Sequence, residues 1–252
     1  MPDKTSYAPG EPAWADLGTP DFEGSRAFYG GLFGWTAPDS DPETFGGYTN
    51  FELGGRKVVG VMPLIDPQQP VGWSVYVSTD DAAKTTELVT EAGGNVVAPP
   101  MEVGPLGTMA VYTDAVGAFF GVWQPGQHIG AEAVGEEGTL AWIELSTRDQ
   151  ATALPFYGRV FGWTSVAPEG YTELQLAGQS VAGCMDTPEG VPAEVPSHWL
   201  PYFVAGDPAA KAAQAVALGA TLVVPFMEFP GGTFAVVQDP HGATFGLLAM
   251  TG

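Results

Sequence analysis

Basic residues, cysteine and histidine are all scarce in this chain. Eight Lys and Arg face 29 Asp and Glu, a formal charge of −21. Binding a phosphate backbone needs a clustered basic footprint that these scattered cations do not supply. Nucleic acid is therefore excluded as a partner, and an anionic membrane surface with it. The one cysteine, Cys184, excludes an internal disulfide framework. The opening Met1-Pro2-Asp3-Lys4-Thr5-Ser6 lacks the apolar core of a secretory signal. Apolar runs such as Ala118–Val122 are far shorter than the roughly 20 residues that cross a bilayer. A soluble, cytoplasmic protein is the expectation. What the chain does have is 45% hydrophobic and 12% aromatic residues over 252 positions, enough for one or two folded domains. Residues 1–128 carry 5 basic and 16 acidic side chains (5 − 16 = −11), and residues 129–252 carry 3 and 13 (3 − 13 = −10). The charge is thus spread evenly, as a solvated skin.

An internal repeat organises the chain. Trp14 to Trp35 reads WADLGTPDFEGSRAFYGGLFGW and Trp142 to Trp163 reads WIELSTRDQATALPFYGRVFGW; 10 of 22 positions match at an offset of 128. Tyr48–Met62 answers Tyr171–Met185, and Thr108–Gly121 answers Thr233–Gly246. Each half divides again into two units of strand, helix and three strands. The helices start at capping aspartates, Asp21, Asp80 or Asp81, Asp149 and Asp207, the last followed by Pro208 at the first helical position and stopped by Gly219. Pro155 inside the third helix is expected to restrict or kink it. The modules span about 13–64, 71–124, 140–186 and 197–250, with a turn at Asp66–Pro70 and a linker from Gln124 to Gly138. This gives a first domain at 10–124, a linker at 125–138 and a second domain at 139–252.

The module order, the Asp…Phe-Tyr…Phe-Gly-Trp segment and the ending Asp239-Pro240-His241-Gly242-Ala243-Thr244-Phe245-Gly246 resemble the vicinal oxygen chelate superfamily, which includes glyoxalase I, extradiol dioxygenases and bleomycin-resistance proteins. The resemblance covers nearly the whole chain and implies an α+β fold: four βαβββ modules in two glyoxalase-like domains, whose mixed sheets curl into cups. Fold alone does not fix the chemistry. Whether the two modules of a half pair with each other or swap between halves is left open, as is a monomer or a homodimer.

Metal-bearing members of that family place His, Glu or Gln on the first strand of a module and Glu on the last. The matching first-strand positions here are Trp14, Trp142, Trp73 and Trp199, and the last-strand positions are Gly121 and Gly246. Indole and glycine cannot ligate a divalent cation, which needs several converging N, O or S donors. The histidines, His128, His198 and His241, share no pairing interval. No metal and no other cofactor is expected. Family geometry instead turns the four tryptophans into the cups as flat walls for a planar ligand, with core packing as the alternative, while Gly121 and Gly246 leave room for it. Trp35 and Trp163, after the helices, are read as core. Strand alternation sets Asp16 beside Trp14 and Glu144 beside Trp142. A carboxylate on an apolar wall could receive a ligand amine or hydroxyl or act as a general acid or base; it could equally meet a backbone amide or solvent. Glu102 and Glu228 read as loop residues, and Cys184 as buried. Two functions follow: a metal-free, bleomycin-resistance-like protein that sequesters or carries a bulky aromatic metabolite or antibiotic, or a metal-independent enzyme of antibiotic tailoring or aldehyde metabolism using Asp16 or Glu144.

Overall fold

Aspartate side chains set where the helices begin. In the computed structural model, which describes residues 3–39, 41, 43, 45–64, 69–167 and 171–251, Asp21 accepts a hydrogen bond from the Gly24 amide and opens α1 (Phe22–Phe33). Asp81, Asp149 and Asp207 do the same for α2 (Ala82–Glu91), α3 (Gln150–Phe161) and α4 (Pro208–Ala217). Gly34 and Gly162, at φ 74° and 71°, close α1 and α3 in the left-handed conformation that glycine adopts without strain. Pro155 does not shorten α3, which runs 12 residues like α1. Burial of Ala153, Phe156, Tyr157 and Val160 on one face offsets the roughly 3 kcal/mol that an interior proline costs. Of the turn at Asp66–Pro70, residues 66–68 lie outside the described residues.

The strands of the first half are β1 (Pro12–Thr19), β2 (Thr49–Leu53), β3 (Arg56–Pro63), β4 (Gly72–Ser78), β5 (Asn95–Glu102), β6 (Gly107–Thr113) and β7 (Phe119–Pro125). Those of the second are β8 (Leu140–Thr147), β9 (Thr164–Val166), β10 (Thr172–Leu176), β11 (Gln179–Asp186), β12 (His198–Val204), β13 (Thr221–Phe229), β14 (Gly232–Gln238) and β15 (Thr244–Met250). They form one mixed sheet per half, ordered β2-β3-β1-β4-β7-β6-β5 and β13-β14-β15-β12-β8-β11-β10-β9. Four modules are present, three as βαβββ and the first as βαββ with a lone bridge in place of its second strand, and those within a half pair through their first strands, β1 against β4 and β8 against β12. The expected strand at 36–38 is reduced to one bridge, Thr36 to Glu52, whereas its repeat is the short β9. Glu102 and Glu228 stand in β5 and β13, opposite Thr108 and Thr233, rather than in loops.

The helix-bearing faces of the two sheets pack against each other. One core runs through both halves: Phe28 meets Phe245, Phe33 meets Phe203 and Phe120 meets Phe156, with ring centroids 6.4, 5.6 and 5.9 Å apart. Trp35 and Trp163 are buried there, and their indoles donate to backbone carbonyls across the seam, Gly138 and Gly10, each at 2.8 Å. Cys184 is fully buried and burial pushes its thiol up to about 12, so it is an apolar residue at neutral pH. The helix-free faces, the insides of the cups, are thereby turned away from each other.

Candidate functional site

Alternation on β1 points Ala15 and Leu17 into the core and leaves Trp14 and Asp16 on the helix-free face; β8 does the same with Trp142 and Glu144. Cross-strand partners share a face, so register places the rest. Asp16 pairs with Ser74 and Leu17 with Trp73; Glu144 pairs with Leu200 and Leu145 with Trp199. Trp73 and Trp199 therefore face the inter-half core, not the cups. Trp73 packs on Tyr29 and Phe203, at 5.5 and 5.1 Å, and Trp199 donates from Nε1 to the Tyr157 hydroxyl at 2.7 Å. A register difference of one residue reverses the face of every side chain on a strand. The residues of β4 and β12 that do face the cups are Ser74 and Tyr76, and Leu200 and Tyr202.

The two tyrosines also change the meaning of the glycines. Tyr76 lies beside Gly121 and Tyr202 beside Gly246, and a Cβ on either glycine would collide with the neighbouring ring. Gly121 and Gly246 thus make room for the chain's own phenols rather than for a guest. Gly60 and Gly183 admit Tyr48 and Tyr171 in the same way. Each cup floor is consequently a carboxylate, two tyrosines and a tryptophan. In the second cup Tyr171 donates to Glu144 Oε2 at 2.6 Å, Tyr202 donates to Oε1 at 2.9 Å, and Trp142 Nε1 donates to the Tyr171 hydroxyl at 3.1 Å. In the first, Trp14 Nε1 donates to the Tyr48 hydroxyl at 2.8 Å, and the Tyr76 hydroxyl neighbours the Asp16 carboxyl.

Burial governs the electrostatics. It raises the Asp16 carboxyl to about 7, against a smaller lowering by the Tyr76 hydroxyl. It also raises Glu144, opposed by hydrogen bonds from Tyr171 and Tyr202 and by the charge of His198. Tyr48 and Tyr76 are raised well above the usual phenol range, by burial first and the Asp16 charge second, so they remain neutral donors. This donor set does not fit a resident metal. One carboxylate and two protonated phenols cannot supply the converging ligands that manganese, nickel, zinc or iron require. Among the described residues no group of three or more His, Cys, Asp and Glu comes together.

Sequence reasoning missed Tyr48, Tyr76, Tyr171 and Tyr202. Their signal was present in the repeat, as Trp-x-x-Tyr at 73–76 and 199–202 and Tyr-Thr at 48 and 171, each able to match a strand glycine across the sheet. The cups also differ at their rims. Trp14 is 4% exposed, covered by His128 and Trp123, whereas Trp142 is half-buried and borders a cavity of about 200 Å³ between the start of β8 and the N-terminal segment, lined also by Lys4, Tyr7, Glu11, Pro12 and Ser180. From Tyr202 an aromatic path continues through Phe234 to Phe229, with centroids 6.2 and 6.1 Å apart, toward exposed Phe226, Met227 and Met250.

Residues 12–121 match the Glyoxalase/Bleomycin resistance protein/Dioxygenase superfamily, and residues 142–248 match a glyoxalase-like domain. CFP32 of Mycobacterium tuberculosis, named as a candidate glyoxylase, is 38% identical, with 98% of each chain covered. The anthracycline biosynthesis protein DnrV of Streptomyces peucetius is also 38% identical, covering 98% of this chain and 95% of its own. Among solved structures, the Mn(II)-bound glyoxalase of Novosphingobium aromaticivorans shares the fold at a TM-score of 0.67 and 15% identity, over 95% of this chain and 82% of that one. The 2,3-dioxygenase LapB of Pseudomonas sp. KL28 does so at 0.68 and 14%, over 97% and 94%. Among the described residues no helix is long and apolar enough to cross a membrane. With two tandem units of this fold along its length, the chain belongs to the glyoxalase, bleomycin-resistance and dioxygenase (vicinal oxygen chelate) superfamily.

Proposed function

We propose that this protein binds a bulky, largely apolar aromatic metabolite without a metal ion, holding it in a cup by stacking and by hydrogen bonds to the carboxylate–tyrosine floor. The observation that carries this reading is the Glu144 carboxylate fixed between the Tyr171 and Tyr202 hydroxyls, where a metal-using relative needs open ligands. A carboxylate held this way keeps lone pairs for a ligand hydroxyl or ammonium. The half-buried Trp142 and the exposed apolar rim supply the flat and greasy surface that such a guest needs. The relatives named for anthracycline biosynthesis favour a fused-ring polyketide over other aromatics.

Titration with hydroxylated anthraquinones and related antibiotics tests it. Tryptophan fluorescence should quench saturably, and the quench should fall in W142A. Elemental analysis should find no stoichiometric metal, and EDTA should leave binding unchanged. No response across the panel, or tightly held nickel, zinc or manganese, overturns the reading.

A second reading, a metal-independent enzyme, is favoured by the Asp16 carboxyl alone. Raised to about 7, it is poised to give and take a proton near neutral pH. If a substrate is turned over, D16N should lose at least a hundredfold in kcat, and unchanged turnover removes Asp16 from the chemistry.

A further inference from the structure

The repeat makes the cups equivalent in sequence, but the linker after β7 treats them differently. It turns back over the first cup and is pinned on both sides. The amides of Gly126 and His128 donate to the Leu106 carbonyl at 2.8 and 3.0 Å, and that of Gln127 donates to Pro105 at 2.9 Å. Ala131 donates to Ala13 at 2.8 Å and receives the Tyr7 hydroxyl at 2.7 Å. Glu132 donates to the Lys57 carbonyl at 2.8 Å, and its carboxylate accepts from the Lys57 amide at 2.9 Å. These bonds hold the His128 imidazole against Trp14 and perpendicular to it, with centroids 4.6 Å apart and planes at 88°, and 5.5 Å from Trp123. Trp123 Nε1 donates to the His128 carbonyl at 2.7 Å.

His128 is only 9% exposed, and its Nε2 is buried without a hydrogen-bond partner. A buried polar ring atom left unpaired costs free energy. The ring is therefore held there by its fit against the indoles and not by polar bonding. The matching indole of the second half, Trp142, carries no such ring among the described residues and borders the cavity of about 200 Å³ that it shares with Tyr7, Pro12 and Val181.

We propose that linker residues 126–134 are a built-in occupant of the first cup, with the His128 ring filling the space beside Trp14, so that a guest packs only on Trp142 and binds once per chain. The one-guest stoichiometry rests on the binding function proposed above; the occupancy of the first cup by His128 does not.

Three measurements test this. Hydrogen exchange on the wild-type protein should show the amides of His128, Ala131 and Glu132 protected to the level of β1, and exchange at open-peptide rates overturns it. Calorimetry with imidazole as probe should show millimolar uptake by H128G and none by wild type or by H128G/W14A. Folded H128G that takes up no imidazole also overturns it. Titration with 1,8-dihydroxyanthraquinone should give one site on wild type, weakened at least tenfold by W142A, and two sites on H128G. Two wild-type sites, or one unaffected by W142A, defeats the proposal. If wild type binds none, the functional reading fails, and exchange and imidazole uptake still decide whether the linker fills the cup.

Discussion

Tyr29 on α1 donates a hydrogen bond to Asp239 in the turn before β15 of the other half, Oη to Oδ2 at 2.9 Å, and Tyr157 on α3 donates to Asp114 at 2.7 Å. The other oxygen of each aspartate accepts from turn amides, His241 and Ala243 in one case and Val116 and Ala118 in the other. The Phe-Tyr-Gly motif and the aspartate turn before a half's last strand, Asp114-Ala115-Val116-Gly117 or Asp239-Pro240-His241-Gly242, are thus the two ends of one staple, made twice, that locks a helix of each half to a turn of its neighbour. Y29F or Y157F leaves a buried carboxylate oxygen unsatisfied and should cost about 1.5–3 kcal/mol. For a chain of this size that lowers Tm by about 2–4 °C per kcal/mol, readable by calorimetry. Unchanged melting in both variants would show that the staples carry no stability.

The fold was legible because its markers are local. Capping aspartates, the glycines after α1 and α3 and the 128-residue repeat require no knowledge of tertiary contacts. The site was half legible. Asp16 and Glu144 follow from alternation along one strand and stand where that alternation puts them. Trp73 and Trp199 depend on register between strands, which alternation within a strand does not determine; their pairing with Leu17 and Leu145 turns them into the core. Gly121 and Gly246 show the same limit, since whether a missing side chain leaves space depends on the neighbouring strand's residue. Nor does composition show that the linker folds over one cup.

The tyrosine–glycine fit predicts a pair of opposite outcomes. Gly246→Ala should push the Tyr202 ring off the floor and weaken its bond to Glu144, at a cost of about 1–3 kcal/mol in chemical denaturation. Adding Tyr202→Leu should recover part of that loss, because the colliding ring is gone. Gly72→Ala, where an added Cβ meets nothing within 4 Å, is the control and should be nearly neutral.

The glutamate in the second cup should be more sensitive to its partners than to its charge. E144Q keeps acceptor capacity on one oxygen and adds a donor, so it retains one tyrosine bond; E144L retains neither and leaves the Tyr171 and Tyr202 hydroxyls without their shared acceptor. The leucine variant should therefore be the less stable of the two by about 1–3 kcal/mol. Equal stability would mean that the clamp is dispensable.

Asp16 and His128 titrate in the same window with opposite signs. The folded-state value of Asp16 is raised from 3.8 to about 7, so the folded protein binds that proton more tightly than the unfolded chain does. Its contribution is complete below about pH 4 and is lost as pH rises to about 7. His128 is lowered from 6.5 to about 4, by burial first and then by the Lys57 charge, against the opposing charge of Glu132. Its contribution is present above about pH 6.5 and is lost as pH falls to about 4. Each has a slope of about 1.4 kcal/mol per pH unit, and between pH 4 and 6.5 the two oppose each other. Relative to wild type, D16N should gain stability progressively from pH 4 to 7, and H128Q should gain it progressively from pH 6.5 to 4. Urea denaturation across that range reads both curves. Parallel shifts at every pH would show that neither group changes its protonation on folding.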